Sequence, residues 1–297
     1  MATGDGAHHE GHQKAGKASF EHIYDLEDPR EYFNTLGGLG YEAPRHGYEI
    51  FSALIGAIEE MRPAGEGLTV LDVCCSYGIN GALLKYDIGL DDLYARYGSE
   101  EAARKTSAGL AADDREFYAA RRRPGAPRVI GLDVAENAVA YGVSAGMLDA
   151  GVAENLEDHE PSGELQRLVS GVDLITVTGG VGYIGGKTFE RLLDSLPEGR
   201  KPWIAVLALR WVDFGPLAEL FARYGYVTEP LGGRTFEQRR FADTDEQEYV
   251  CEELSRMGVD PAGKESEGSY HAYFYLSRPA DEAAGSRVED LVDPGRV

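Results

Sequence analysis

Between residues 68 and 209, short runs rich in β-branched residues alternate with one-faced helical patterns, and that order permits few architectures. Residues 68–74, 128–133, 172–178 and 203–209 are nearly continuous apolar runs, the signature of strands buried on both faces of a parallel sheet. Helical patterns lie between them at 79–97, 135–148 and 188–196. A strand–helix alternation of this kind predicts an α/β fold, a doubly wound and mostly parallel sheet with helices on both faces. Further helices are expected over 215–225 and 244–258, and 270–276 alternates as a late strand compatible with antiparallel return. Residues 98–127 break the rhythm and read as a mostly helical insertion.

The ends of the chain differ from this body. Residues 1–18 are rich in Gly, His, Lys and Ala without apolar periodicity and read as a disordered leader. His8, His9 and His12 lie in it with no rigid fourth ligand nearby, so no metal site is expected. Residues 19–62 form an expected helical cap or lid. This segment is dense in aromatics (Phe20, Tyr24, Tyr32, Phe33, Tyr41, Tyr48), is punctuated by Leu36-Gly37-Gly38 and Pro44, and ends in a helical pattern running from Gly47 through Ile58. The α/β domain then spans 63–279, followed by an acidic tail, 280–297.

Charge narrows the function. With 29 Lys+Arg against 51 Asp+Glu in 297 residues the net charge is −22, which opposes phosphate backbones, and Arg121-Arg122-Arg123 is too small a basic footprint for nucleic acid. No apolar run approaches the length of a membrane span and no signal-peptide pattern opens the chain, so a soluble cytoplasmic protein is expected. Cys74, Cys75 and Cys251 have neither a disulfide framework nor zinc-ligand spacing. Cys74 and Cys75 read first as small core residues, since no adjacent cation would lower a thiol pKa.

In open parallel sheets, ligands bind at the carboxyl ends of the strands where strand order reverses. Four such ends carry small, polar or acidic residues. Leu71-Asp72-Val73-Cys74-Cys75-Ser76-Tyr77-Gly78-Ile79-Asn80 turns sharply from strand to helix. Val129-Ile130-Gly131-Leu132-Asp133 ends on an acid that suits a ribose diol, with a helix N-cap role as its competitor. Ala153-Glu154-Asn155-Leu156-Glu157 suits the edge and face of a base. Thr176-Val177-Thr178-Gly179-Gly180-Val181-Gly182-Tyr183 carries glycines that let a ligand approach the backbone.

These motifs resemble the class I S-adenosylmethionine-dependent methyltransferases over about 68–209. Val70-Leu71-Asp72-Val73 with Gly78 matches the first signature, Val129-Ile130-Gly131-Leu132-Asp133 the second, and Val172-Asp173-Leu174-Ile175 that of the fourth strand. The resemblance implies a Rossmann-like, seven-stranded methyltransferase sheet and S-adenosylmethionine as cofactor. It implies a loop around the methionine part at Asp72, Ser76 and Gly78, ribose on Asp133, and adenine near Asn155 and Leu156, with Cys74, Val134, Thr178 and Gly179 completing the cofactor set. The family's first loop carries three alternating glycines, and here Cys74 and Ser76 stand at two of them. The expectation is therefore a turn that avoids φ > 0 at both and a methionine end that lies differently. A dinucleotide is disfavoured because Gly-x-Gly-x-x-Gly is missing and Asp133 lies 133 − 78 = 55 positions past Gly78.

The expected activity is in-line methyl transfer to a small molecule. The alternatives are an S-adenosylmethionine-cyclising lyase, which would make a strained-ring amino acid and methylthioadenosine, and a silent binding module. Tyr183, His46 and Asp213 are the candidate catalytic residues, with His159 as a further candidate base.

Overall fold

The computed structural model describes residues 21–63 and 67–292, so 1–18 with His8, His9 and His12, and the end of the 280–297 segment, lie outside the described residues. A cap of two helices, α1 (Arg30–Gly38) and α2 (Ala43–Glu60), precedes β1 (Thr69–Val73). Pro44 is accommodated in the first turn of α2, where a missing N–H costs nothing. Next come α3 (Ile79–Lys85), α4 (Leu90–Tyr97), α5 (Glu100–Ala103) and α6 (Ser107–Ala119), then β2 (Arg128–Asp133), α7 (Glu136–Ala145) and β3 (Ala150–Ala153). The chain continues through α8 (Gly163–Val169), β4 (Leu174–Thr178), α9 (Gly186–Asp194), β5 (Trp203–Leu209), α10 (Gly215–Arg223), β6 (Tyr226–Pro230) and β7 (Phe236–Arg240). It closes with α11 (Thr244–Arg256), β8 (Ser269–Pro279), α12 (Ala280–Ala283) and α13 (Val288–Leu291).

The strands form one sheet in the order β3-β2-β1-β4-β5-β8-β6, with β7 pairing to the first part of β8. Pairs from β3 through β5 are parallel, and β8 runs antiparallel to β5, β6 and β7. This is the doubly wound, mostly parallel sheet that the alternation predicts. The strand order reverses between β1 and β4, which places the crevice at their carboxyl ends. Successive residues of each strand feed opposite faces, as a period of two requires. Val70 and Val129 pack with Ile50, Phe51 and Leu54 of α2 on one side. Leu71 and Ile130 pack with Leu165, Phe189 and Phe221 of α8, α9 and α10 on the other.

Three features depart from the sequence reading. The single helix expected over 79–97 is two, α3 and α4, because the insertion returns to the end of α3: Tyr86 bridges Arg122, and the Asp87 N–H donates to the Arg121 carbonyl at 2.8 Å. The strands β6 and β7 and the helix α8 carry no apolar run of their own. The segment expected as an acidic tail bears α12 and α13, whose Val288 joins Ile50 and Leu54 in the core. Among the described residues, no helix is long and apolar enough to cross a membrane.

Candidate functional site

The turn after β1 holds its shape at a conformational cost. Cys74 has φ 58° and Ser76 φ 48°, followed by Gly78 at 84°, so left-handed residues alternate along the loop. The expectation that Cys74 and Ser76 avoid positive φ is therefore wrong. Packing around the turn imposes on two β-carbon-bearing residues a backbone that L-residues adopt at a cost of roughly 1–2 kcal/mol each. The Ser76 N–H donates to Asp133 Oδ2 at 2.7 Å, tying the loop to the end of β2. Asp133 Oδ1 accepts the N–H groups of Val134 at 2.7 Å and Ala135 at 3.1 Å just ahead of α7, so the carboxylate organises the turn as well as the loop. Burial pushes the Asp133 carboxyl above its usual pKa against those three hydrogen bonds.

Beneath the loop, Asp72 on β1 is buried. It accepts from the Thr176 hydroxyl at 2.8 Å and the Asn80 amide at 3.1 Å, and burial still raises its pKa to about 6. Asn80 also donates to Thr178 Oγ1 at 3.1 Å. Its own Oδ1, like the Ser76 hydroxyl, is buried without a partner. The cap helix α2 lies on this cluster at Gly47, where a β-carbon would meet Asn80 Oδ1 at 3.2 Å and Phe51 at 3.1 Å. Cys74 and Cys75 are unbridged, and burial holds both thiols well above their ordinary pKa, which removes them as thiolate nucleophiles. Cys74 Sγ packs against Gly180.

The aromatic segment before α1 lies over the same strand ends. The Tyr77 hydroxyl, carried by the β1 loop, accepts the Leu26 N–H at 3.0 Å and faces the Leu26 and Ile23 carbonyls at 3.0 and 3.3 Å. Asp25 accepts the Asn137 N–H in the first turn of α7 at 2.7 Å. Tyr32 meets Tyr24, Tyr41 and Tyr77 edge-on at 5.6, 6.4 and 5.8 Å. Tyr32 and Phe33 are buried core residues, whereas Tyr24 stays partly exposed beside the strand ends. Tyr183, after β4, is 51% exposed, and Val134 is 64% exposed beside Asp133.

A second excursion covers β4. Between β6 and β8 the chain makes β7 and α11, and β7 is joined to the cap: the Glu42 N–H donates to the Gln238 carbonyl at 2.7 Å and the Arg240 N–H to the Leu39 carbonyl at 2.9 Å. The space between them is lined by Ala43, His46, Gly179, Leu207, Phe236, Glu237, Gln238 and Ala272. Gly179 (φ 72°) touches Gln238 so closely that a β-carbon would stand 2.4 Å from Nε2.

The structure thus links Asp72 and Thr178 through Asn80, and separately Ser76 with Asp133, by hydrogen bonds, and sets His46 and Gly179 on the lining of one small space. Leu156 is buried in the core, and Asn155 Oδ1 accepts the Glu157 N–H at 3.0 Å while its amide donates to Asp158 at 2.7 Å. Asp213 is exposed and accepts the Gly215 N–H at 2.9 Å, and His159 is exposed. Asn80 and Thr176 stand in the strand-end stretches read from the sequence but were given no role there. Gln238 was overlooked because its strand reads as a charged loop.

No family model matches the sequence, and no curated protein does. Among solved structures the chain is similar to a TehB-like SAM-dependent methyltransferase from Corynebacterium glutamicum, at 15% identity over 77% of this chain and 86% of that one, with a TM-score of 0.36. It is similar to a SAM-dependent methyltransferase from Geobacter sulfurreducens in complex with S-adenosylhomocysteine (14% identity, 78% and 90%, TM-score 0.35). It is also similar to magnesium protoporphyrin IX methyltransferase from Synechocystis with bound SAM (11% identity, 78% and 79%, TM-score 0.36). The sheet order of this chain places β8 antiparallel between β5 and β6 at the edge of the parallel strands.

Proposed function

We propose that the chain is an S-adenosylmethionine-dependent methyltransferase acting on a small molecule. The observation that carries this reading is the alternating left-handed turn at 74, 76 and 78, tied through the Ser76 N–H to the Asp133 carboxylate at the switch point of the sheet. The surroundings fit such a cofactor. Asn80 Oδ1 and the Ser76 hydroxyl are buried polar atoms in want of partners, which an ammonium or carboxylate end supplies, and exposed Val134 offers an apolar face beside the ribose-binding acid. The bound cofactor supplies an electrophilic methyl carbon. The chain's part is to hold the ribose hydroxyls on Asp133, seat the tail over Asp72 and Asn80, and exclude water with the Tyr24 segment. The cyclising alternative rested on Cys74 and Ser76 reorienting the methionine tail, and the left-handed φ values at both positions, like those of a glycine turn, favour ordinary transfer over it.

S-adenosylhomocysteine should bind the wild-type protein in calorimetric titration, and Asp133→Ala should weaken it by roughly 1.5–3 kcal/mol, the range for a charge-assisted hydrogen bond. Incubation with S-adenosylmethionine and an acceptor should yield S-adenosylhomocysteine. Methylthioadenosine formed by the protein without acceptor would replace this reading with the cyclising one.

A further inference from the structure

The loop after β3 is held by a helix that belongs to another strand. In the sheet β3 and β4 are separated by β2 and β1, yet residues 154–160 reach α9, which follows β4, on the face where Leu156 packs with Leu165 and Phe189. Glu157 Oε1 accepts the Gly185 N–H at 2.7 Å, the Thr188 N–H at 3.2 Å and the Thr188 hydroxyl at 2.7 Å. Two of these are backbone donors left without helical partners in the first turn of α9, where a carboxylate also meets the positive end of the helix dipole. Gly185, at the cap position, has no side chain to serve them, and the carboxylate comes from 28 residues earlier in the chain. Gly185 is not there for its backbone. Its φ of −137° and ψ of −154° suit any residue, and a β-carbon would stand 3.8 Å from both Glu157 carboxylate oxygens, an ordinary contact. A serine at that position could cap the helix locally, but here the capping is done from the loop. Further along α9, Arg191 donates from Nη1 to the Leu156 carbonyl at 2.6 Å and from Nε to Glu160 at 3.0 Å, so the helix grips the loop twice.

We propose that Glu157 is a positioning residue for the cofactor, which sets the loop after β3 as the wall against which the cofactor's base rests. This inference rests on the methyltransferase reading above. With the ribose on Asp133 at the end of β2 and the tail over Asp72 on β1, the base leaves the ribose on the far side, toward β3, the other neighbour of β2. The side chains that this wall could offer are already engaged: Leu156 is buried in the core, and Asn155 bonds Glu157 and Asp158 within the loop. What the loop contributes is its place, and the three bonds to Glu157 fix it. A wall that had to be ordered at the moment of binding would subtract that ordering from the affinity. The tie also passes close to the turn that seats the tail, since the Cys74 thiol lies within electrostatic reach of the Glu157 carboxylate.

The test separates the cap on α9 from the tie on the loop, with S-adenosylhomocysteine as the calorimetric probe. Glu157→Ala removes both, and should raise Kd roughly 10-fold and lower Tm by roughly 2–4 °C, the size of a lost helix cap. Adding Gly185→Ser to that variant supplies a hydroxyl within reach of the Thr188 N–H. The double variant should regain the Tm and keep the raised Kd, because the cap is restored and the loop is not. Amide exchange over residues 154–160 should quicken in Glu157→Ala and stay quick in the double variant. Glu157→Gln keeps an acceptor oxygen and should hold Kd within roughly 3-fold of wild type, as a hydrogen-bonded tie allows and a direct charge contact with ligand does not. A double variant that regains affinity together with Tm would leave Glu157 a helix cap and nothing more. Wild-type affinity in Glu157→Ala, or a Glu157→Gln protein as weak as the alanine variant, would equally overturn the assignment. If Glu157→Ala does not fold, the double variant, its cap restored, is compared with wild type directly. A wild-type protein that does not bind S-adenosylhomocysteine sinks the methyltransferase reading itself, whereas every other contrary result falls on Glu157 alone.

Discussion

The floor and the roof of the site are stabilised by different means. The floor, the ends of β1, β2 and β4, sits on apolar strands that are buried on both faces, and its polar groups are held under compulsion: Asp72 is desolvated, and Cys74 and Ser76 are left-handed. The roof, made of the cap and the β7–α11 excursion, is pinned by buried ion pairs. Arg239 meets Glu246 through two hydrogen bonds of 2.7 and 3.0 Å, with Glu246 fully buried, and Arg210 pairs with buried Glu265. A buried ion pair that loses one partner leaves the other charge uncompensated in the interior, whereas truncating an apolar side chain leaves a cavity but no stranded charge. Loss of one charged partner is therefore expected to loosen the roof before the floor.

The largest effect follows from removing a roof carboxylate. Glu246→Ala strips Arg239 of its buried counter-charge and should cost about 3–5 kcal/mol in urea unfolding. Amide exchange should quicken over β7 and α11 while β1 and β4 keep their protection. Acid should act in the same direction. Burial opposes ionisation of Glu246, yet Arg239 and the Ala242 N–H hold its pKa below the ordinary value. A depressed carboxyl contributes stability above pH 4.5 that is lost as pH falls through the folded pKa. Uniform exchange across floor and roof in this variant would mean that the two regions unfold as one.

Asp72 has the opposite sign. Its pKa is raised from 3.8 to about 6, so the folded protein binds more protons than the unfolded chain between those values, and stability declines as pH rises through that window. Carrying the ionised group at pH 7 costs on the order of 3 kcal/mol. Asp72→Asn should recover about 1–2 kcal/mol of that at pH 7, less than the whole because Asn accepts fewer hydrogen bonds from Thr176 and Asn80, and should gain nothing at pH 4. Thermal unfolding at the two pH values measures this. A variant less stable than wild type at pH 7 would mean that Asp72 is stabilising where it stands.

How far the sequence could be read divides along the same line. The floor was legible because strands buried on both faces must be apolar throughout: β2 and β5 coincide with 128–133 and 203–209, and the acids at Asp72 and Asp133 stand out against them. The roof was not. The strand Phe236–Arg240 turns one of its charges, Arg239, inward to pair with Glu246 of α11 and is a strand only because β8, some thirty residues on, presents an edge to it. Local pattern contains no sign of that pairing, and so none of Gln238. The turn at Cys74 and Ser76 misled for a related reason: propensity argues against left-handed Cys and Ser, and tertiary packing overrides it.

That override gives the smallest effect and the finest test of the comparison. Ser76 at φ 48° pays the left-handed penalty of roughly 1–2 kcal/mol, which glycine does not. Ser76→Gly also removes a buried hydroxyl without a partner, at the expense of greater freedom in the unfolded chain, roughly 0.5–1 kcal/mol. The balance favours the variant by about 0.5–1 kcal/mol, with the Ser76 N–H still free to donate to Asp133. Affinity for S-adenosylhomocysteine should move the other way if the hydroxyl meets the ligand, so that stability and binding separate at one atom. Since the change lies wholly in the floor, exchange over β7 and α11 should stay as in wild type. A Ser76→Gly protein that unfolds more easily would show that the turn is not strained, and that the floor owes its shape to the side chain rather than to the packing around it.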